Sequence, residues 1–356
     1  MKRPARFRLF PVGMLMFLLA GWLAGCSFFG GTAAKIEVSP PEGIIPLIVT
    51  FDGTASTGSG GISTYHWTFG TGDESYQPKG TYAYNRAGTF TLTLTVRSAD
   101  GSTATKSLEI VVAPAVWITD SNLSRVYKLD MDGNVLLSFA APGPQPQGIA
   151  VAEADGQTWL FLACQGEGTQ RIYRLDPSDG DLSREFAAPA QSPREPTYAA
   201  DNPKRIWCVD GTSRKLYALN PVNCQILESF GINYFTLFPQ VRNVAFLRTP
   251  NGLDWTAQAN ASGHLWYLEG DNHLLFKMKI VPSYDLMSGT QLEIVGDPLY
   301  VPVFAASAID WYDGFLWVVD SNEHEIVQID PETGSPTGVR ITGLPGSNTT
   351  GMEIQE

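Results

Sequence analysis

The runs Asp130-Met131-Asp132-Gly133-Asn134 and Asp176-Pro177-Ser178-Asp179-Gly180-Asp181 set carboxylates two or three residues apart around a glycine, as the start of a calcium-binding loop does. Neither run reaches the bidentate glutamate that an EF-hand loop needs. Asn220-Pro221 and Asp330-Pro331-Glu332-Thr333-Gly334 stand at the same place in a repeat described below, so all four read as turns closed by side-chain bonds to their own backbone. The histidines His66, His264, His273 and His324 fall in no metal-ligating spacing. No Cys-x-x-Cys pair, Gly-x-Ser-x-Gly elbow or glycine-rich phosphate loop occurs, so nucleophilic hydrolysis and phosphoryl transfer have no visible machinery.

One thiol has a context that directs its chemistry. Lys2, Arg3, Arg6 and Arg8 precede an apolar stretch from Leu9 to Leu23, which ends in Leu23-Ala24-Gly25-Cys26. A basic start, a short apolar segment and small residues before a cysteine make residues 1–25 a signal peptide ending in a lipobox. The sequence resembles the bacterial lipoprotein class. That resemblance implies a diacylglycerol thioether on Cys26, palmitate-like acyl chains, cleavage before Cys26 and a lipidated tether over residues 26–34. A true span needs about 20 apolar residues, so contact with the membrane is expected through the lipid anchor only. With Ser27 following, the resemblance implies export to the outer membrane of a Gram-negative bacterium, on its periplasmic or surface face.

Loss of the four basic residues of 1–25 takes the formal charge from −12 to −16. Such a field repels phosphate backbones, so no nucleic acid partner is expected, and proteins or polysaccharides of the cell envelope fit better. The 35 glycines and 24 prolines, with no long helical period after residue 25, point to an all-β chain of short strands and turns. Cys164, Cys208 and Cys224 are an odd set, and no bridge is assigned among them.

Residues 35–113 alternate as a β-sandwich does. Strands are expected at Ile36–Val38, Leu47–Phe51, Thr64–Phe69, Gly88–Val96 and Ser107–Val112, and Thr89 to Val96 interleaves threonine with apolar residues. Tyr65-His66-Trp67-Thr68-Phe69-Gly70-Thr71-Gly72, with Tyr82 and Gly88-Thr89-Phe90, resembles the PKD family, whose immunoglobulin-like fold buries the tryptophan and phenylalanine. Thr68 and Thr71 stand where that family carries aspartates. The resemblance implies a spacer or adhesive unit.

Residues 114–356 repeat. Trp117-Ile118-Thr119-Asp120, Trp207-Cys208-Val209-Asp210, Trp266-Tyr267-Leu268-Glu269 and Trp317-Val318-Val319-Asp320 share one spacing to a following turn, and Phe161-Leu162-Ala163-Cys164 fits with a turn two residues longer. Short strands at Gly148–Val151, Thr197–Ala200, Asn243–Phe246 and Ala308–Trp311 precede the later copies, and Gly351–Ile354 supplies the strand that the first copy lacks. The reading is a β-propeller of five blades closed by its C-terminal strand, with Asn251–Gly263 leaving room for a sixth. The pattern resembles NHL, SMP-30 and YVTN propellers, through Asp120-Ser121-Asn122, Asp320-Ser321-Asn322 and Asp330-Pro331-Glu332-Thr333-Gly334. Asp120, Asp210 and Asp320 are expected to cap their own turns.

Aligned by register, the inner strands carry Ala150, Ala199, Ala245, Asp310 and Glu353 at one position. Asp310 and Glu353 then lie on neighbouring blades, with Asn243 near enough in register to add an oxygen, an arrangement suited to calcium or another divalent cation. No other cofactor and no catalytic residue is assigned. The leading expectation is a membrane-anchored binding or scaffold module for protein or glycan partners. Its rival is a metal-dependent propeller hydrolase or lyase, lactonase-like, acting on a small molecule.

Overall fold

The computed structural model describes residues 31–166, 170–199, 204–210, 212–213, 215–231, 241–246, 265–269, 273–282 and 290–355, and every regular element among them is a strand. The fold is all-β: an immunoglobulin-like sandwich followed by a five-bladed propeller.

One sandwich sheet pairs Glu37–Ser39, Leu47–Asp52 and Lys79–Tyr84. The other runs in the order Glu42–Ile44, Thr103–Ala113, Gly88–Ser98, Ile62–Thr68, Glu74–Ser75. Alternation decides which faces meet. Leu92, Leu94 and Val96 are fully buried while Thr93 and Thr95 point out, where their hydroxyls bond Ser107 and Thr105 across the strand pair at 2.9 and 3.0 Å. Trp67 fills the centre against Phe51, with ring centroids 4.9 Å apart, and its indole N–H donates to the Gln77 carbonyl at 3.0 Å. Such burial contributes about 1.5–3 kcal/mol per large side chain. Three strands are absent from the sequence reading, Glu42–Ile44, Glu74–Ser75 and Lys79–Tyr84, the last disguised by proline and glycine, and Thr103–Ala113 begins at Thr103 rather than Ser107.

In the propeller each blade is an antiparallel sheet with the innermost strand first in its pairing order. Blade 1 joins both ends of the propeller: Thr349–Gln355 pairs with Ala115–Asp120, followed outward by Arg125–Leu129 and Val135–Ala140. Blade 2 is Pro146–Ala154, Gln157–Cys164, Arg171–Leu175 and Leu182–Ala187. Blade 3 is Pro193–Ala199, Arg205–Asp210, Lys215–Leu219 and Ile226–Gly231. Blade 4 is Val241–Phe246, Leu265–Glu269, Leu274–Pro282 and Thr290–Ile294, with Leu299–Tyr300 added to its third strand. Blade 5 is Ala306–Tyr312, Phe315–Asp320, Glu325–Ile329 and Pro336–Thr342. Inner strands of neighbouring blades lie side by side from blade 1 through blade 5 and back to blade 1, so the ring closes. Asn251–Gly263 lies outside the described residues.

The second strands read as apolar runs because a blade is covered on both faces. Ala115–Asp120 is buried at every position. Val116 and Ile118 pack with Trp317, Val319 and Ile326 of blade 5, while Trp117 packs with Ile149, Leu160 and Leu162 of blade 2. Alternate residues of one strand therefore bind the ring in both directions.

One register needs correction. Ala150, Ala245, Asp310 and Glu353 do lie opposite Phe161, Trp266, Trp317 and Trp117. In blade 3 the residue opposite Trp207 is Thr197, not Ala199, which pairs with Arg205. The pairing shifts between Arg194 and Thr197, and an irregularity of this kind leaves no mark on the alternation.

Candidate functional site

Two of the aspartates that end the second strands, Asp120 and Asp210, do more than cap turns. Asp120 accepts the Leu123 N–H of its own turn at 2.7 Å through one oxygen. The other accepts the N–H groups of Ser347 and Asn348, the latter at 3.0 Å, in the loop arriving from blade 5. Gly346, at φ +96°, leaves room there; a Cβ would collide with the Asp120 carboxylate. Asp210 likewise joins its own Ser213 N–H to the Ser192 N–H of the loop from blade 2, both at 2.5 Å. Asp320 accepts Asn322 and Glu323 within its turn. In blade 2 the chemistry inverts, since the Cys164 thiol donates to the Gly143 carbonyl of the incoming loop at 3.7 Å.

The acidic runs behave as turns. Asp130 accepts the N–H groups of Asp132 and Asn134, Asp176 the backbone N–H and the side-chain O–H of Ser178, Asn220 the N–H of Val222, and Asp330 the N–H groups of Glu332 and Thr333. Among the described residues, no three His, Cys, Asp or Glu side chains gather as ligands for one metal ion.

Asp310 and Glu353 are both buried, on the adjoining inner strands of blades 5 and 1. Asp310 spans that seam: one oxygen accepts the Ile354 N–H of blade 1 at 2.6 Å and the other the Trp311 N–H at 2.8 Å. The carboxylate thus fastens two blades. The backbone of Asn243 is placed opposite Leu268 on the inner strand of blade 4. Cys26 lies outside the described residues, as does His264. His66 stacks on Tyr76 and faces Glu74 at 3.2 Å, and His273 bonds the Val303 carbonyl at 2.8 Å. Cys164, Cys208 and Cys224 are free and buried, and burial pushes each thiol up to about 12, out of reach of thiolate chemistry near neutral pH.

In the sandwich, Asp73 takes up the turn that Thr68 and Thr71 leave without an aspartate. It accepts the Tyr82 hydroxyl at 2.5 Å and the Thr71 hydroxyl at 3.2 Å, beneath the stacked rings of Phe69 and Tyr82.

The sequence places the junction between sandwich and propeller at 113/114 but carries no signal for the contacts across it. Pro114 alone separates the last sandwich strand from the first blade strand, and Ala115 is buried in the sandwich core. Lys128 of blade 1 donates to the Ile45 carbonyl of the sandwich at 2.6 Å, with its ammonium 5.3 Å from the centre of the Trp117 ring. Burial holds this ammonium down to about 8.

Beside the joint, the inner hairpin of blade 2 reaches farther than that of blade 5. Both end in an Asp-Gly turn with positive φ at each residue, Asp155-Gly156 and Asp313-Gly314. Measured from the residue opposite the strand-end Cys164 or Asp320, the blade 2 hairpin runs Pro146 to Ala154 and that of blade 5 only Ala306 to Tyr312. The two added residues per strand extend it by roughly 7 Å. Its tip, with Pro177 and Asp176 of the next turn, faces Asn85 of the sandwich across a cleft of 480 Å³. The dipeptide Asp155-Gly156 was the available sequence signal for this hairpin; its length, and the meeting with Asn85, had none.

Comparison with known proteins places residues 41–112 in the PKD domain family. Collagenase ColA of Clostridium perfringens is 40% identical over 70 residues, 19% of this chain and 6% of that protein, so the chain spans a small fraction of that relative. The PKD1 domain of the Vibrio cholerae metalloprotease PrtV is 32% identical over 23% of this chain and 96% of its own, with a TM-score of 0.21. Virginiamycin B lyase of Staphylococcus aureus is 16% identical over 69% of this chain and 79% of its own, with a TM-score of 0.36. The blade architecture stands on the strand pairing of this chain itself, and residues 41–112 are a PKD domain.

Proposed function

We propose that the chain is an exported lipoprotein, anchored through Cys26 to the outer membrane of a Gram-negative bacterium, whose sandwich and propeller together hold a protein or glycan partner. The observation that carries the binding part is the joint. A one-residue connection, a shared core at Ala115 and the Lys128 bond to Ile45 make a preorganised surface out of two domains, and preorganisation lowers the ordering cost of recognition. The duties of Asp120, Asp210 and Asp310 are in keeping with this reading, since their oxygens are engaged by backbone N–H groups that hold the ring together. The anchor rests on the order of residues 1–26, and acidity favours neutral or basic partners.

Two measurements test it. Mass spectrometry of the N-terminal peptide from isolated membranes is expected to find Cys26 first and diacylated; an intact Met1, or unmodified Cys26 in membrane-bound protein, overturns the anchor. Affinity capture from envelope extracts, followed by binding of the purified candidate, is expected to return a saturable protein or glycan partner. Turnover of a small molecule in place of stable binding would overturn the module reading.

A further inference from the structure

The cleft beside the joint is lined by residues of both domains. Its walls come from three separate stretches: Asn85 in the sandwich, Glu153 to Trp159 in the long hairpin, and Asp176-Pro177 in the next turn of blade 2. Its 480 Å³ falls in the range of small-ligand sites, and a position between two domains is where such sites concentrate. One aromatic ring lines it, Trp159, and that ring is braced: the Arg174 guanidinium sits 4.5 Å from its centre, the indole N–H donates to the Ala154 carbonyl at 3.1 Å, and Arg174 is itself held by Asp155 at 3.0 Å. The ring is half-buried, with Arg174 over it and the core of blades 2 and 3 beside it, and the part left to the cleft is held in place without an ordering cost.

Around the ring stand short polar groups. Among the described residues, the side chains of Asn85, Gln157 and Thr158 have no protein partner. Each amide presents both a donor and an acceptor, and the threonine hydroxyl does the same in one atom. That set matches the neighbouring hydroxyls of a sugar, which also donate and accept, while the C–H face of a pyranose suits the indole. The two carboxylates of the cleft are otherwise engaged. Glu153 is paired with Lys204 at 2.5 Å, and Asp176 is held below the usual carboxylate range by the hydroxyl and N–H of Ser178. Asp176 is therefore ionised near neutral pH and is not a proton donor there. The same two anions, in a chain of net charge −12, disfavour an anionic ligand.

We propose that this cleft binds a short neutral oligosaccharide, with Trp159 as the stacking platform and Asn85, Gln157 and Thr158 as the groups that read its hydroxyls. The inference rests on the binding-module reading and names its ligand class. It also gives the long hairpin a purpose, since a hairpin of blade 5 length would stop short of the segment that supplies Gln157, Thr158 and the turn.

The test is calorimetric titration of the full-length protein, in a detergent without a sugar head group, with cellotriose, chitotriose, maltotriose and xylotriose, and with trigalacturonate as the acidic control. At least one neutral trisaccharide is expected to bind at millimolar concentration or below, and trigalacturonate is not. Trp159→Ala should weaken that binding about tenfold or more, and Asn85→Ala and Gln157→Ala about threefold each. Asn85 and Gln157 are exposed, so these two variants should melt with the parent and keep the test decisive even where Trp159→Ala fails to fold. Failure of every neutral trisaccharide, preference for trigalacturonate, or binding that Asn85→Ala and Gln157→Ala leave unchanged would each overturn the proposal. In the last case the cleft is refuted while the binding module stands, and envelope capture decides the module separately.

Discussion

Blades 2 and 5 are built on one repeat and differ at three points that separate what the ring requires from what it presents. At the inner position, blade 5 has Asp310 bonded across the seam where blade 2 has the fully buried Ala150. At the strand end, Asp320 accepts two N–H groups of its turn where Cys164 donates to a carbonyl of the incoming loop. At the hairpin, blade 5 stops at Asp313-Gly314 while blade 2 runs two residues farther on each strand to Asp155-Gly156. The first two differences lie inside the ring, where the second exchanges one way of joining neighbouring elements for another. The third adds nothing to ring closure and puts Gln157, Thr158 and Trp159 next to the sandwich.

The largest effect should come from breaking the seam at which blade 5 meets blade 1, through a strand that blade 2 also packs against. Deletion of residues 347–356 removes the inner strand of blade 1, with the acceptor of the Trp117 indole N–H on Gln355 and the donor to Asp310. Met352 and Ile354 alone bury about 1.5–3 kcal/mol each, a large share of a total stability of about 5–15 kcal/mol. The truncated chain is expected to lose the cooperative calorimetric transition of the propeller. A transition of unchanged temperature would show that ring closure does not depend on this strand.

The strand ends give a graded comparison. Asp120→Ala strands the N–H groups of Leu123, Ser347 and Asn348 and should cost about 3 kcal/mol, whereas Asp320→Ala, with partners in one turn only, should cost about 1–2 kcal/mol. Cys164→Ala removes one weak thiol bond and should cost about 1 kcal/mol. Chemical denaturation of the three variants checks the order, and equal losses would mean that the carboxylates act through turn shape alone.

Much of this contrast was legible in the sequence and some was not. The tryptophan to turn spacing located the second and third strands of blades 1, 3 and 5, because both faces of those strands are covered and their turns recur in register, whereas in blade 4 the third strand runs on through Lys279, where that spacing puts the turn, to Pro282. Gly351–Ile354 was legible as the missing strand by its likeness to Ala308–Trp311. The inner strand of blade 3 was misread by two positions, since an irregularity between Arg194 and Thr197 moves Thr197 into line without disturbing composition. Asp310 and Glu353 were singled out correctly as neighbours, yet only the fold reveals that Asp310 bonds the backbone of the next blade. The contacts across the joint were invisible: Lys128 and Ile45 are 83 residues apart, and neither carries a motif.

A smaller effect isolates Lys128. Burial lowers its ammonium from 10.5 to about 8 in the folded protein, so between those values the unfolded chain binds the proton that the folded chain has released. Stability from this group is therefore lowest below about pH 8 and rises toward pH 10.5. Thermal melts should show the parent gaining on Lys128→Met across that window, and parallel curves would mean that the ammonium is not held at the joint.

If sandwich and propeller form one unit facing a common cleft, the two walls of that cleft stand at a fixed distance, which pulsed electron resonance reads. With spin labels at Asn85→Cys and Gln157→Cys, Cys26→Ser in the background and the three buried thiols protected by their burial, one label sits on each side of the cleft. A single narrow distance distribution is expected, and Lys128→Met should broaden it. A broad distribution in the parent would contradict a single unit, because the sandwich would then swing freely about Pro114 and no cleft would be preformed.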